Sequence, residues 1–197
     1  MKILKISLTL CVYLIGTLSV SLNVQADISP ELLRSSVVVS PKAEFVPSKL
    51  QTYSWAENHA DVSAEFKKSK FSVAELIDKA IINALNKKSY KYKSAKSEKM
   101  LIQYHVLQAS EMSNTALTIK YGLSPGLQGN SDEAKARERG VLIVDIIDSE
   151  IKKVVWRGAV EVFIGLEDTQ VGRQQRVNGI LLELFIGIPS SKVSTQK

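Results

Sequence analysis

The sequence contains few of the residues on which catalytic and metal-binding sites most often depend. It has one cysteine, Cys11, and two histidines, His59 and His105, in 197 residues. Because Cys11 lies in the apolar N-terminal run, the rest of the chain has no thiol for a disulfide, a nucleophile or a zinc site. The stretch 59–65 resembles metal ligands but lacks a second histidine at helical spacing, so we interpret it as a solvated loop. We expect no metal and no cofactor.

Nucleotide-binding and serine-hydrolase motifs are also missing. The Gly-rich stretch 122–130 has no Gly-Lys-Ser/Thr sequence and no dinucleotide spacing of its glycines, so it is interpreted as a loop. No serine lies in a nucleophile-elbow motif. The formal charge is +6, and without Lys2 and Lys5 of the N-terminal run 24 basic residues against 20 acidic ones leave +4. This indicates a mildly basic surface, which is either ordinary solubility charge or a contact for an anionic envelope component. We expect no nucleic-acid partner.

Residues 1–26 have the composition of a cleaved signal peptide. Lys2 and Lys5 give a basic start, residues 6–22 form an apolar run, and Val24 and Ala26 are the small residues of a cleavage site. We predict secretion into the periplasm with cleavage after Ala26. Removal of 26 of the 197 residues leaves 171, enough for one domain with a sizeable core.

Two other fates of this N-terminal segment are weighed against cleavage. An uncleaved anchor is the first, but the apolar run is short and contains several serines and threonines, so we expect no stable membrane span. Lipidation is the second, but Cys11 follows Leu10 inside the run, where a lipoprotein needs a small residue at the end of the run. We therefore predict that the protein is not a lipoprotein.

The mature chain is predicted to be an α+β domain with a mainly antiparallel sheet of about five strands and two helices packed on one face. Residues 27–49 form an N-terminal arm with at most one short strand, residues 50–189 form the domain, and residues 190–197 form a disordered tail. Strands are predicted at 50–55, 100–109, 115–121, 141–147 and 154–164. Helices are predicted from the capping box of Ser72 and Glu75 onward, and at 166–188 with Asp168 or Thr169 as the N-cap.

The runs 141–147 and 154–164 predict a central β-hairpin whose register follows from the parity of its loop. A three-residue loop at 150–152 places Asp145 opposite Arg157 and leaves Trp156 on a wholly apolar face. An even loop would place Asp145 beside Trp156 and bury an isolated charge, which costs several kcal/mol. We therefore predict the odd register. The last residue of such a loop, Lys152, then needs a positive φ, which suits it less well than glycine.

Five segments carry a resemblance to a known family. They are Tyr53-Ser54-Trp55; Ala84-Leu85 with Tyr90; residues 140–145 with Asp148; Val155-Trp156-Arg157-Gly158-Ala159; and Arg176-Val177 leading to Pro189. On these segments the chain resembles, over about residues 44–189, a family of bacterial envelope proteins catalogued as domain of unknown function 4136. The resemblance implies an α+β envelope domain and supplies no catalytic residues. Ser89 stands where the family usually has a glycine.

Two classes of function are compatible with these features. The first is a non-catalytic envelope domain that binds an unknown envelope protein or an anionic envelope component, or that assists envelope assembly. A protein that binds a small apolar ligand between helices and sheet is an alternative within this class. The second is a hydrolase in which Asp145, Glu161 and His105 act as acid and base. We favour the first, because the predicted register makes Asp145 and Arg157 an ion pair. The residues expected to serve the fold are Trp55, Asp145, Trp156, Arg157 and Gly158.

Overall fold

The order of helices and strands follows the predicted hydrophobic runs in most of the chain. The computed structural model describes residues 37–41, 50–67, 71–95, 98–108, 113–126, 138–164 and 169–191. The elements are β1 (Val37–Pro41), β2 (Thr52–Val62), α1 (Ala64–Lys67), α2 (Val73–Lys87), β3 (Lys91–Tyr92), β4 (Met100–Gln108), α3 (Asn114–Tyr121), β5 (Glu138–Asp148), β6 (Lys153–Ile164) and α4 (Gln170–Leu184). The predicted signal peptide and residues 192–197 lie outside the described residues.

These strands form one mixed sheet in the order β1-β6-β5-β4-β2-β3. The β1–β6, β6–β5 and β5–β4 pairs are antiparallel, whereas β2 runs parallel to both β4 and β3. The predicted α+β class with a mainly antiparallel sheet is therefore confirmed. The arm supplies β1 at one edge of the sheet, where Pro41 ends the strand without leaving a central strand short of a donor.

The hairpin of β5 and β6 has the predicted register but not the predicted loop. Asp145 is opposite Arg157, yet Asp148 is opposite Lys153, so the loop has four residues instead of three. A β-bulge at Val155 adds one residue to β6, and the two differences cancel. The Asp148 carboxylate accepts a hydrogen bond from the Glu150 amide at 2.9 Å and so begins the turn. Lys152 ends the loop with φ 53°, the positive φ that was expected of this residue in the three-residue loop.

Two helices, α2 and α4, cover one face of the sheet. The Ser72 hydroxyl accepts a hydrogen bond from the Glu75 amide at 3.2 Å, which confirms the predicted start of α2. Helix α4 is shorter than the predicted 166–188, and Thr169 is its N-cap. The apolar stripes of both helices pack on one core with the inward side chains of the strands, which include Met100, Ile102, Tyr104, Leu142, Val144, Ile146, Trp156 and Val160.

The prediction of a strand at 115–121 is wrong, because this segment is helix α3. The Ser113 hydroxyl accepts from the Ala116 amide at 3.1 Å, and Gly122 ends the helix in the left-handed conformation with φ 78°. These two caps outweigh the alternation of apolar residues over a stretch this short. Helix α3 packs Leu117 and Tyr121 against the face of the sheet opposite α2 and α4. The domain therefore has helices on both faces, not on one.

The prediction of a loop at 59–65 is also wrong. Strand β2 continues to Val62, and α1 begins at Ala64. Between Trp55 and Ala60 the register with β4 shifts, because four residues of β2 lie opposite the single residue Gln103. Asn58 has φ 54° within this irregularity, a conformation that asparagine tolerates better than most residues. Because the bulge interrupts the alternation of side chains between the two faces, the continuation of the strand does not show a period-two pattern in the sequence.

Ser89 takes the conformation that a glycine would adopt more easily. Its φ is 67°, directly after Lys88, the C-cap of α2. The Tyr90 amide then donates to the Leu85 carbonyl at 3.0 Å, so the chain turns sharply out of the helix. A side chain in this region costs about 1–2 kcal/mol relative to glycine. The serine is therefore a strained substitute at this position.

Candidate functional site

Asp145 and Arg157 form a two-armed ion pair on the α3 face of the hairpin. Arg157 Nε donates to Asp145 Oδ1 at 2.5 Å, and Nη2 donates to Oδ2 at 2.6 Å. The Asp145 side chain is 3% exposed and that of Arg157 is 19% exposed. Arg157 Nη1 also donates to the Tyr121 carbonyl at 2.6 Å, so the pair holds the C-terminus of α3 against the hairpin. The hydrogen bonds to Asp145 raise the pKa of Arg157.

His105 lies beside this ion pair. Its Nδ1 is 3.1 Å from Asp61 Oδ2, and its Nε2 is 3.9 Å from Asp145 Oδ2. Glu161 is buried further along β6, opposite Val141. Asp145 and His105 are thus brought close together, but both oxygens of Asp145 accept hydrogen bonds from a guanidinium. This arrangement favours orientation of α3 over proton transfer.

Trp156 and Gly158 lie on the opposite face, in the core under α4. Trp156 is buried, and its ring lies 5.6 Å from that of Phe185 in an edge contact. A Cβ atom on Gly158 would lie 2.5 Å from Trp156 Cη2 and 2.8 Å from Leu184 Cδ1. Only a glycine therefore lets the tryptophan and α4 approach this strand. These contacts suit residues that serve the fold.

A second polar cluster was not predicted from the sequence. The ring of Trp55 stacks on that of His59 with centroids 4.5 Å apart, and His59 Nε2 is 3.2 Å from Asp78 Oδ1. The Tyr104 hydroxyl lies 2.8 Å from the same Asp78 oxygen and 3.1 Å from the Ala74 carbonyl. Burial and the Asp78 carboxylate raise the pKa of Tyr104. The bulge in β2 brings His59 to α2, and no local sequence signal indicated this contact.

Next to this cluster, a half-open groove of about 340 Å³ lies between the end of β2, α1 and the first turn of α2. Its lining is mostly apolar, and it consists of Ala60, Val62, Phe66, Lys67, Phe71, Ser72, Val73 and Ala74. The Tyr104 hydroxyl anchors the Ala74 side of the groove through the Ala74 carbonyl. On the other side, Phe66 is buried and packs close to Gly140. The walls are therefore held by contacts that do not depend on an occupant.

Within the described part of the chain, no group of three His, Cys, Asp or Glu side chains is placed to hold a metal ion. The stretch 59–65 contributes His59 to Asp78 and Asp61 to His105, which are two separate pairs. None of the described helices is both long and apolar enough to cross a membrane.

Comparisons with solved structures find several chains that align with this one at low identity. A PelC dodecamer from Paraburkholderia phytofirmans aligns with a TM-score of 0.48 and 8% identity, covering 81% of this chain and 99% of that one. A PDZ domain protein from Parabacteroides distasonis gives a TM-score of 0.49 and 15% identity, over 81% of this chain and 36% of that one. A DUF330 protein from Xanthomonas campestris gives 0.42 and 11%, over 76% and 89%.

Sequence comparisons give the family directly. No curated protein matches the chain. The model of the Domain of unknown function (DUF4136) matches residues 37–189, which include every described helix and strand. The protein therefore belongs to the DUF4136 family.

Proposed function

We propose that the protein is exported to the periplasm and is a non-catalytic module that binds another component of the cell envelope. The observation that carries this proposal is the groove at the end of β2, which is a concave surface with a mostly apolar lining. Small-molecule sites are concave, mostly apolar and largely pre-formed. Residues 1–26 support export, because their basic start, apolar run and small residues are those of a signal peptide.

The contacts of the charged residues favour binding over hydrolysis. A hydrolase would need Asp145 or Glu161 to exchange a proton with His105 and a substrate. Asp145 is instead buried, with each oxygen accepting a hydrogen bond from Arg157. The groove lies at the α2 side of the sheet, whereas this ion pair lies at the α3 side. The ion pair and the groove are therefore separate features, and the contacts of the ion pair favour a role in the fold.

The proposal is tested by crosslinking the native protein in intact cells and identifying the adducts by mass spectrometry. We expect a heterologous adduct with an envelope component. Recovery of the protein crosslinked only to itself would contradict the binding role.

The same spectra test export. The mature N-terminus is expected at Asp27. Retention of residues 1–26, or an acyl chain on Cys11, would contradict cleavage after Ala26.

A further inference from the structure

The groove has the apolar walls that an alkyl chain needs. Six of the eight described lining residues are apolar: Ala60, Val62, Phe66, Phe71, Val73 and Ala74. Transfer of an alkyl chain from water to such a surface is favourable in proportion to the apolar area that is buried. Because the groove is half open, one end of an occupant remains in contact with water, where a polar headgroup is stable.

The polar part of the groove is positive. Lys67, the last residue of α1, is exposed at the groove, and Ser72, the N-cap of the 15-residue helix α2, is the other polar lining residue. The N-terminus of a helix carries a partial positive charge, which adds to that of the lysine. No carboxylate is among the eight described residues that line the groove. The described lining therefore favours an anion over a cation.

The size of the groove restricts the occupant further. A volume of about 340 Å³ lies near the lower end of the range for small-molecule sites, which is roughly 300–1,000 Å³. A single alkyl chain is compatible with this volume, whereas the two chains of a phospholipid together are much larger.

We propose that the groove binds a fatty-acid-like amphiphile, with its single acyl chain along Val62 and Phe66 and its carboxylate near Lys67 and the start of α2. This inference rests on the proposed function, because it names the chemical class of the envelope component. It goes further in requiring a negative headgroup and a single chain.

The test is calorimetric titration of the purified protein with dodecanoate, below its micellar concentration, and with dodecyltrimethylammonium as the cationic counterpart. We expect saturable one-to-one binding of dodecanoate, about tenfold or more tighter than that of the cation. No binding of dodecanoate, or equal binding of both amphiphiles, would overturn the proposal. Equal binding would show an apolar surface without a site for the headgroup.

Variants then locate the binding. Ala74→Leu fills the groove and should weaken dodecanoate binding by about tenfold or more, whereas Asn86→Leu adds the same side chain at an exposed position of α2 and should not change it. Unchanged binding by a folded Ala74→Leu variant would place the ligand elsewhere and overturn the proposal.

A charge-reversal pair gives a second answer that does not depend on packing. Lys67→Glu should weaken dodecanoate binding and strengthen binding of the cation, while Lys91→Glu, an exposed reversal on β3, should do neither. Equal effects of the two reversals would show that only the net charge of the protein matters. That result would overturn the proposed contact between Lys67 and the headgroup. If dodecanoate does not bind but crosslinking in cells still recovers a foreign partner, the amphiphile fails and the binding module stands.

Discussion

The ion pair between Asp145 and Arg157 is buried, and we expect it to stabilise the fold through a coupling energy between the two side chains. Exposed ion pairs lack such a coupling energy. Asp145→Asn leaves a guanidinium that is 19% exposed and still donates to the Tyr121 carbonyl, so the loss should be near 3 kcal/mol. Arg157→Met leaves a carboxylate that is 3% exposed without its counter-ion, so the loss should approach about 5 kcal/mol. Either loss is a large part of the stability of an ordinary domain, about 5–15 kcal/mol.

The double variant distinguishes pairing from other effects of the substitutions. Asp145→Asn with Arg157→Met leaves no uncompensated charge, so it should lose less than the sum of the single losses, by about 2 kcal/mol or more. Urea unfolding, followed by tryptophan fluorescence, measures all three variants. Lys99 and Glu150 are the control, since their N···O distance is 2.6 Å but their side chains are 44% and 65% exposed. That cycle should show no measurable coupling. Additive losses at Asp145 and Arg157 would refute the assigned role.

Four further predictions concern packing, backbone strain and acid stability. Trp156→Ala should cost about 3–5 kcal/mol in urea unfolding, because the ring is buried against Phe185; an unchanged midpoint would contradict its place in the core. Gly158→Ala should destabilise by about 1–3 kcal/mol through overpacking, whereas Ser89→Gly should stabilise by about 1 kcal/mol by relieving a φ of 67°; the opposite signs would contradict both readings. The hydrogen bond from Thr52 and the charge of Lys93 lower the pKa of Glu98, so its contribution is present above the ordinary value of 4.5 and is lost as the pH falls through the lowered value. The stability difference between wild type and Glu98→Gln, from thermal unfolding, should therefore be largest near neutral pH and vanish in acid; a difference independent of pH would contradict this.

The register of the hairpin could be predicted because a charged pair and a buried tryptophan alternate along it. Parity alone separated Asp145 and Arg157 from the face that carries Trp156, and the structure has that pairing. The loop could not be predicted from parity, because a longer loop and a bulge at Val155 together leave the parity unchanged. Helix α2 was predicted correctly because it has both a capping box and an apolar stripe of four turns.

Helix α3 and the cluster around His59 show where sequence patterns give less information. In α3, eight residues are too few for helical and extended periods to differ clearly, and the capping residues Ser113 and Gly122 decided the outcome. The contact of His59 with Asp78 depends on a bulge with a left-handed Asn58 and on the position of α2 over the sheet. Neither is encoded by a local spacing, and the groove beside it is formed by residues from three elements.

The claim that the groove is the binding surface is tested most directly by site-specific photocrosslinking in intact cells. A photoreactive side chain at Lys67 probes the groove, and one at Ile119, which is 82% exposed on α3, is the control on the other face of the sheet. We predict a foreign envelope adduct from position 67 and none from position 119. An adduct from position 119 alone, or from neither position, would contradict the claim that the groove meets the partner.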